Sequence, residues 1–215
     1  MKFTSIFGKL AAAAAFAMSL ATANSYATPA FTLDPYSIVN DDTNNYNFAV
    51  EFTANQAITV NALAYFFSDA NTSGSHAVAL FDMSGNKLAE TIVDVSDILL
   101  GSFRYSSIDA VNLLAGASYR IVGLSNGESY GLSAQNISVN SAISYIQSGF
   151  SDITDSAAPE FTTMTWGEKG QPTDSIWGPS LSFNLTQANV PEPATYALFA
   201  AGLGLLLISR RRKSS

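Results

Sequence analysis

Cysteine is absent, histidine occurs once, and charged residues make up only 13 % of the 215 positions, about half the usual share. Each shortage excludes something. Without thiols there are no disulfides, thiolate metal sites, iron–sulfur clusters or cysteine nucleophiles. A single imidazole, His76, and no cysteine rule out the usual zinc centre. Basic residues are scarce as well, and badly placed for anionic partners. Lys2 and Lys9 stand near the start, and Arg210, Arg211, Arg212 and Lys213 near the end. Between Thr28 and Asn189 only Lys87, Arg104, Arg120 and Lys169 face sixteen Asp and Glu, a formal −12. Such a surface repels nucleic-acid backbones and anionic headgroups. It suits an exported soluble domain or one that recruits divalent cations, and residues 28–189 are long enough to stabilise themselves by a core.

Both ends, by contrast, are apolar and cationic. At the N-terminus, Lys2 and Lys9 precede an apolar stretch from Leu10 to about Leu20, followed by small polar residues. This is the three-part pattern of a secretory signal peptide. The stretch reaches roughly 16 Å as a helix, too short to span a hydrocarbon layer of about 30 Å. Ser25 and Ala27 bracket Tyr26 in the spacing that signal peptidase reads, which predicts cleavage after Ala27, with cleavage after Ala23 as the alternative. At the other end the chain is apolar from Ala194 to Ile208, roughly 22 Å of helix, and a membrane helix is expected over residues 194–209. Arg210 to Lys213 would hold its end in the cytoplasm by the positive-inside rule. Pro191 and Pro193 keep Glu192 extended and outside that helix.

Val190-Pro191-Glu192-Pro193, the short apolar run and the terminal cations together resemble the PEP-CTERM sorting signal of Gram-negative bacteria. The resemblance implies that exosortase, a membrane-embedded cysteine transpeptidase, recognises Pro-Glu-Pro and releases or transfers the protein. It also implies a host that makes an exopolysaccharide matrix. The expected organisation is a signal peptide at 1–27, a secreted domain at 28–189 and the sorting signal at 190–215, with 210–213 as its basic tail.

The middle of the chain reads as short strands and turns. Phe48, Val50 and Phe52 alternate with Asn47, Ala49 and Glu51 at period two. His76 to Phe81 and Lys87 to Val95 form the arms of a hairpin around Asp82-Met83-Ser84-Gly85-Asn86. Further turns are signalled at Asn71-Thr72-Ser73-Gly74, Ala115-Gly116, Ser125-Asn126-Gly127 and Trp177-Gly178-Pro179. One short helix is expected near Ser96 to Leu100. The fold class is therefore all-β, an antiparallel β-sandwich of jelly-roll or immunoglobulin-like kind, flanked by a signal helix and a membrane helix. "LLAGASYRIVGL" resembles a tyrosine corner, which gives Leu113, Gly116 and Tyr119 structural roles. The segment from Phe52 to Leu124 also resembles a β-sandwich module found in secreted bacterial proteins that bear this tail.

Chemistry is sparsely written. His76 opens a strand after a Gly-Ser turn with no nucleophile elbow nearby, which favours a structural histidine bonded to a loop carbonyl over the base of a triad. Asp69 and Asn71 copy the first half of a calcium loop, with Asp82 as a third oxygen donor, but Leu80 stands where the loop's last acid belongs. Calcium is the one candidate cofactor, and plain turn chemistry accounts for the same residues. Glu51, Glu128, Glu160 and Glu168 are the acids a glycan-acting enzyme could pair. Trp166 and Trp177, with Tyr130 and Tyr145, are candidates for a sugar-binding face, because flat rings pack on pyranoses. Covering an edge of the sandwich is the competing role for both indoles.

The expectation is a non-enzymatic exported protein of the cell surface or exopolysaccharide matrix. Polysaccharide binding is its candidate activity, and an envelope-glycan enzyme is the alternative. Its expected partners are signal peptidase, exosortase, the inner membrane as a transient anchor and exopolysaccharide, without nucleic acid.

Overall fold

The computed structural model describes residues 27–33, 37–39, 44–67, 74–128, 130–132, 137–152, 158–172 and 176–185. Both terminal signals, and with them the expected signal and membrane helices, lie outside the described residues. So do Asp69 and Asn71.

In chain order the strands are β1 (Thr28–Pro29), β2 (Phe31–Leu33), β3 (Ser37–Val39), β4 (Tyr46–Ala54), β5 (Ile58–Phe66), β6 (Ser75–Asp82), β7 (Lys87–Asp94) and β8 (Ile98–Leu100). Then come β9 (Phe103–Leu113), β10 (Ser118–Leu124), β11 (Tyr130–Leu132), β12 (Ile137–Val139), β13 (Ile143–Asp152), β14 (Thr165–Trp166), β15 (Ile176–Trp177) and β16 (Pro179–Leu185). Among the described residues there is no α-helix. The helix expected at 96–100 is instead the edge strand β8, paired to β9 from Ile98↔Tyr105 to Leu100↔Phe103. Asp94 caps the turn before it, accepting hydrogen bonds from the Ser96 amide and hydroxyl, so the backbone turns back instead of coiling.

Two antiparallel sheets pack face to face, one ordered β1-β16-β5-β9-β8 and the other β14-β13-β4-β10-β6-β7. Two small ribbons, β15-β11-β3 and β12-β2, complete the structure. Phe48, Val50 and Phe52 of β4 point into the core with Val78, Leu80, Ile121, Leu181 and Phe183. The period-two pattern thus delivers the inner face as expected. The hairpin of β6 and β7 forms with Gly85 at a φ of 87°.

The tyrosine corner is present. The Tyr119 hydroxyl accepts the Leu114 amide at 2.9 Å, and Gly116 takes the left-handed φ of 79° that the tight connection needs. This corner lies at one end of the sandwich, together with the β4–β5 turn. Leu185, which pairs with Ile58, is at that end too. Thr28 pairs with Phe183, two residues from Leu185, so the described chain enters and leaves at the same end. The seven residues of β16 carry the backbone roughly 20 Å to the opposite end, where Pro179 pairs with Tyr65.

Replacing Tyr119 by Phe keeps the ring against Phe52 and removes only the acceptor for the Leu114 amide. Stability should fall by about 1 kcal/mol in urea denaturation, with the denaturant slope unchanged. An unchanged midpoint would assign the tyrosine to packing alone.

Candidate functional site

The end of the sandwich remote from Leu185 gathers the polar and aromatic groups of interest. Asn126 and Gly127 both adopt positive φ, 52° and 70°, and the Glu128 amide bonds back to the Ser125 carbonyl at 3.0 Å. That is the pattern of a type I′ turn, for which Asn-Gly is the preferred sequence. The turn folds Glu128 over Gly74, where a Cβ would collide with its carboxylate.

Glu128 thereby meets His76, which is buried completely. The His76 Nδ1–H donates to the Leu124 carbonyl at 2.8 Å, leaving Nε2 directed at Glu128 Oε2, 3.5 Å away. The imidazole lies flat on Tyr65, with ring centres 3.8 Å apart, and edge-on to Phe67. Burial depresses its pKa to about 4, against a smaller upward pull from the Leu124 carbonyl. Burial also raises Glu128 above the usual carboxylate range. The Tyr65 phenol is raised well above its ordinary value by burial first, then by the charges of Glu128 and Tyr130. His76 is therefore a neutral structural residue bonded to a carbonyl, as its sequence context indicated.

Beside this niche is a cup of about 50 Å³, open on one side and lined by Tyr46, Phe48, Tyr130, Phe150 and Ile176. Phe48 is its buried floor, while the other four are half-buried walls. The rings brace one another: Phe48 and Tyr130 are 4.7 Å apart, Tyr46 and Phe48 5.4 Å, and Phe150 meets Tyr46 edge-on at 5.6 Å. The Ser125 amide donates to the Tyr46 carbonyl and the Tyr46 amide donates to the Ser125 hydroxyl, both at 2.9 Å, which holds the start of β4 in place. These edge and face contacts pack the rings of the cup against one another.

The outer face of the six-stranded sheet is also covered over β4, β10 and β6, which the alternation of β4 did not indicate. Residues 158–167 cross it, and Met164 packs on Ala49, Ala79, Phe81 and Val122. Arg120 donates twice to Glu51 Oε1, at 2.7 and 3.0 Å, and once to the Thr162 carbonyl at 2.9 Å. Its guanidinium lies 3.8 Å from the Phe161 ring centre and 4.9 Å from that of Trp166. Gln147 donates to the second Glu51 oxygen at 2.7 Å, in register because a bulge in β13 skips Ile146. Gly149 lets β14 approach, since a Cβ there would meet the Thr165 carbonyl at 2.5 Å.

The residues singled out in sequence are scattered. Trp177 is fully buried, packed between Phe31 at 5.1 Å and Tyr145 at 6.0 Å. It has no exposed face to offer a sugar, because the chain folds it into the core where a loop position was expected. Trp166 is half-buried on the opposite face of the sheet, beneath Arg120. Tyr130 alone of the four aromatic candidates lines the cup. Asp82 has both carboxylate oxygens taken by the Ser84 and Asn86 amides and the Asn86 side chain, which hold its pKa below the ordinary value. These bonds close the hairpin turn. Glu51 is consumed by Arg120 and Gln147, Glu128 faces His76, and Glu160 and Glu168 are exposed. Tyr46, Phe150 and Ile176 were missed because each reads in sequence as an ordinary core residue.

The two packed antiparallel sheets with their aromatic cup define an all-β module. Residues 32–170 match the family described as a domain of unknown function, DUF4082, and the chain belongs to that family. Residues 189–213 match the PEP-CTERM protein-sorting motif. The chain is accordingly a PEP-CTERM exosortase substrate, exported and anchored in the membrane as a precursor. Among curated proteins no match is found.

The buried His76 gives a test by pH. Its folded pKa of about 4 lies below the unfolded 6.5, so the unfolded chain binds a proton first as pH falls. Stability should be fully present above pH 6.5 and decline towards pH 4, by up to about 3 kcal/mol. Glu128, shifted upwards, works against this decline. His76→Asn, whose amide can still donate to Leu124, should flatten the slope in that window. An equal slope in both proteins would mean that His76 titrates normally.

Proposed function

We propose that the exported protein resides at the cell surface or in the extracellular matrix and binds polysaccharide there without catalysing its cleavage. The observation that carries this reading is the open, braced cup of Tyr46, Phe48, Tyr130, Phe150 and Ile176. Aromatic rings are the side chains that grip the apolar faces and substituents of sugars. The cup stands at the end of β16 remote from Leu185, and therefore away from the segment that leads to the sorting motif. A protein tethered through that segment would present the cup outwards. The enzyme alternative finds no support in Glu51, whose oxygens are both engaged by Arg120 and Gln147. The tyrosine corner favours the immunoglobulin-like member of the sandwich class.

The same reading includes the processing scheme. Signal peptidase cuts after Ala27, leaving Thr28 to enter β1 directly, opposite Phe183. Exosortase acts at Val190-Pro191-Glu192-Pro193. The run at 194–209 anchors the precursor in the inner membrane, and Arg210, Arg211, Arg212 and Lys213 stop its export.

Two measurements follow. Mass spectrometry of the exported protein should find an N-terminus at Thr28 and no peptides from Leu203 to Ser215. Recovery of those peptides would contradict the scheme. On a glycan array, the wild-type protein should bind neutral polysaccharides. Tyr130→Ala should weaken binding about tenfold, as expected for loss of one stacking ring, while Trp166→Ala leaves it unchanged. Equal binding by all three proteins would remove the cup from the account.

A further inference from the structure

The outer strands of the two large sheets are not equally protected. An open edge presents unpaired amides and carbonyls to any further strand, and charge, proline or extreme shortness usually blunts it. β1 has two residues, one of them Pro29, and β14 has two. β7 carries Lys87, Glu90 and Asp94 along its length. β8 is also short, but its three residues, Ile98, Leu99 and Leu100, are all aliphatic and 69, 50 and 47 % exposed. Of the nine large hydrophobic side chains exposed among the described residues, five lie between Ile92 and Leu100, which makes them a patch and not a scatter.

The pairing with β9 shows what this patch continues. Ile98 stands beside Tyr105 and Leu100 beside Phe103, both buried, so a covered face of the five-stranded sheet runs out onto β8 and ends there exposed. Leu99 is on the other face, beside Arg104. The acids that precede the strand are occupied within their own turn. Asp97 Oδ2 accepts the Asp94 amide at 2.9 Å, and Asp94 Oδ1 accepts the Ser96 amide and hydroxyl. Arg104 Nη1 donates to the Asp97 carbonyl at 2.7 Å. β8 therefore meets a further strand with no charged side chain of its own.

We infer that β8 is a self-association edge, which pairs antiparallel with the β8 of a second copy about a two-fold axis at Leu99. In that register Leu99 meets Leu99 and Ile98 meets Leu100 on both sides of the axis, so every cross-strand pair is aliphatic. Asp97 falls opposite Gly101, around which there is open space. Parallel pairing would instead set Asp97 beside Asp97, with like charges opposed. The other edges of a second copy fit less well. Pro29 of β1 has no amide to donate, and β7 would lay Glu90 and Asp94 along an aliphatic strand. Three residues on each side make a small contact, so the association is weak, with a Kd in roughly the micromolar to sub-millimolar range. Neither the aromatic cup nor its ligand enters this contact.

Because the chain has no cysteine, a single Leu→Cys change gives the exported protein one thiol and makes the register testable. In the two-fold pair the Leu99 Cα atoms stand roughly 4.5–5.5 Å apart, within reach of a disulfide. Leu99→Cys should therefore form a covalent dimer on mild oxidation. Leu114→Cys, which is more exposed but lies at the end that carries Leu185, should stay monomeric over the same time. Sedimentation velocity of the wild type should show a concentration-dependent equilibrium between monomer and dimer. Ile98→Lys alters a largely exposed side chain and should weaken the dimer by more than about tenfold, as two cations enter an aliphatic ladder. Leu114→Lys should leave it unchanged, and the cross-linking result decides if Ile98→Lys fails to fold. A wild type that stays monomeric at about millimolar concentration, or cross-linking no faster from Leu99→Cys than from Leu114→Cys, would overturn the proposal. So would a dimer that a folded Ile98→Lys protein leaves intact.

Discussion

Burial of β4 on both faces is the constraint from which the rest of the domain follows. One face carries Phe48, Val50 and Phe52 into the core between the sheets. The other carries Ala49 and Glu51 beneath residues 158–167. A buried carboxylate is tolerated only with a full set of partners, and Arg120 with Gln147 supplies them. Arg120 also ties the crossing segment down through the Thr162 carbonyl and the rings of Phe161 and Trp166. In a domain with four basic residues, one is committed to this role. Removing either partner of such a pair would strand the other, at a typical cost of about 3–5 kcal/mol.

The consequences extend to the remote end of the sheet. With β4 clamped between two layers, Tyr46 and Phe48 have fixed positions at its start, and β13 is held alongside so that Phe150 faces Tyr46. The cup is thus built on the most constrained strands of a domain that has no disulfide to stiffen it. Export without disulfides is workable because the core runs continuously from Phe31 and Trp177 to Ile58 and Leu113. Thr28 and Leu185 lie towards the opposite end, away from the aromatic surface.

Much of this was legible in the sequence, and the reasons differ by element. Periodicity identified the inner face of β4, and turn residues identified the hairpin at Asp82 and the turn at Asn126, because both signals are local. The tyrosine corner was legible because its hydrogen bond spans only five residues, from Tyr119 to Leu114. The outer cover was not, since Glu51 and Gln147 are 96 positions apart and meet only through a bulge that no local pattern marks. The Trp177 segment reads as a polar loop, yet the ribbon with β11 draws its indole into the core. The cup escaped notice for a similar reason. Tyr46, Tyr130, Phe150 and Ile176 come from four separate strands, and nothing in the sequence tells a half-exposed aromatic from a buried one. The sorting motif was the most readable feature because it is contiguous and is recognised as linear sequence.

The central claim is that the exported domain holds a matrix polysaccharide at the end remote from its tail. Protein-observed NMR of the exported form, titrated with polysaccharide purified from the matrix of the producing cells, tests it most directly. The account predicts amide shift changes confined to residues 46–48, 128–131, 148–150 and 176–178. Changes clustered around residues 113–117 and 184–185, or the absence of any change at saturating polymer, would contradict it.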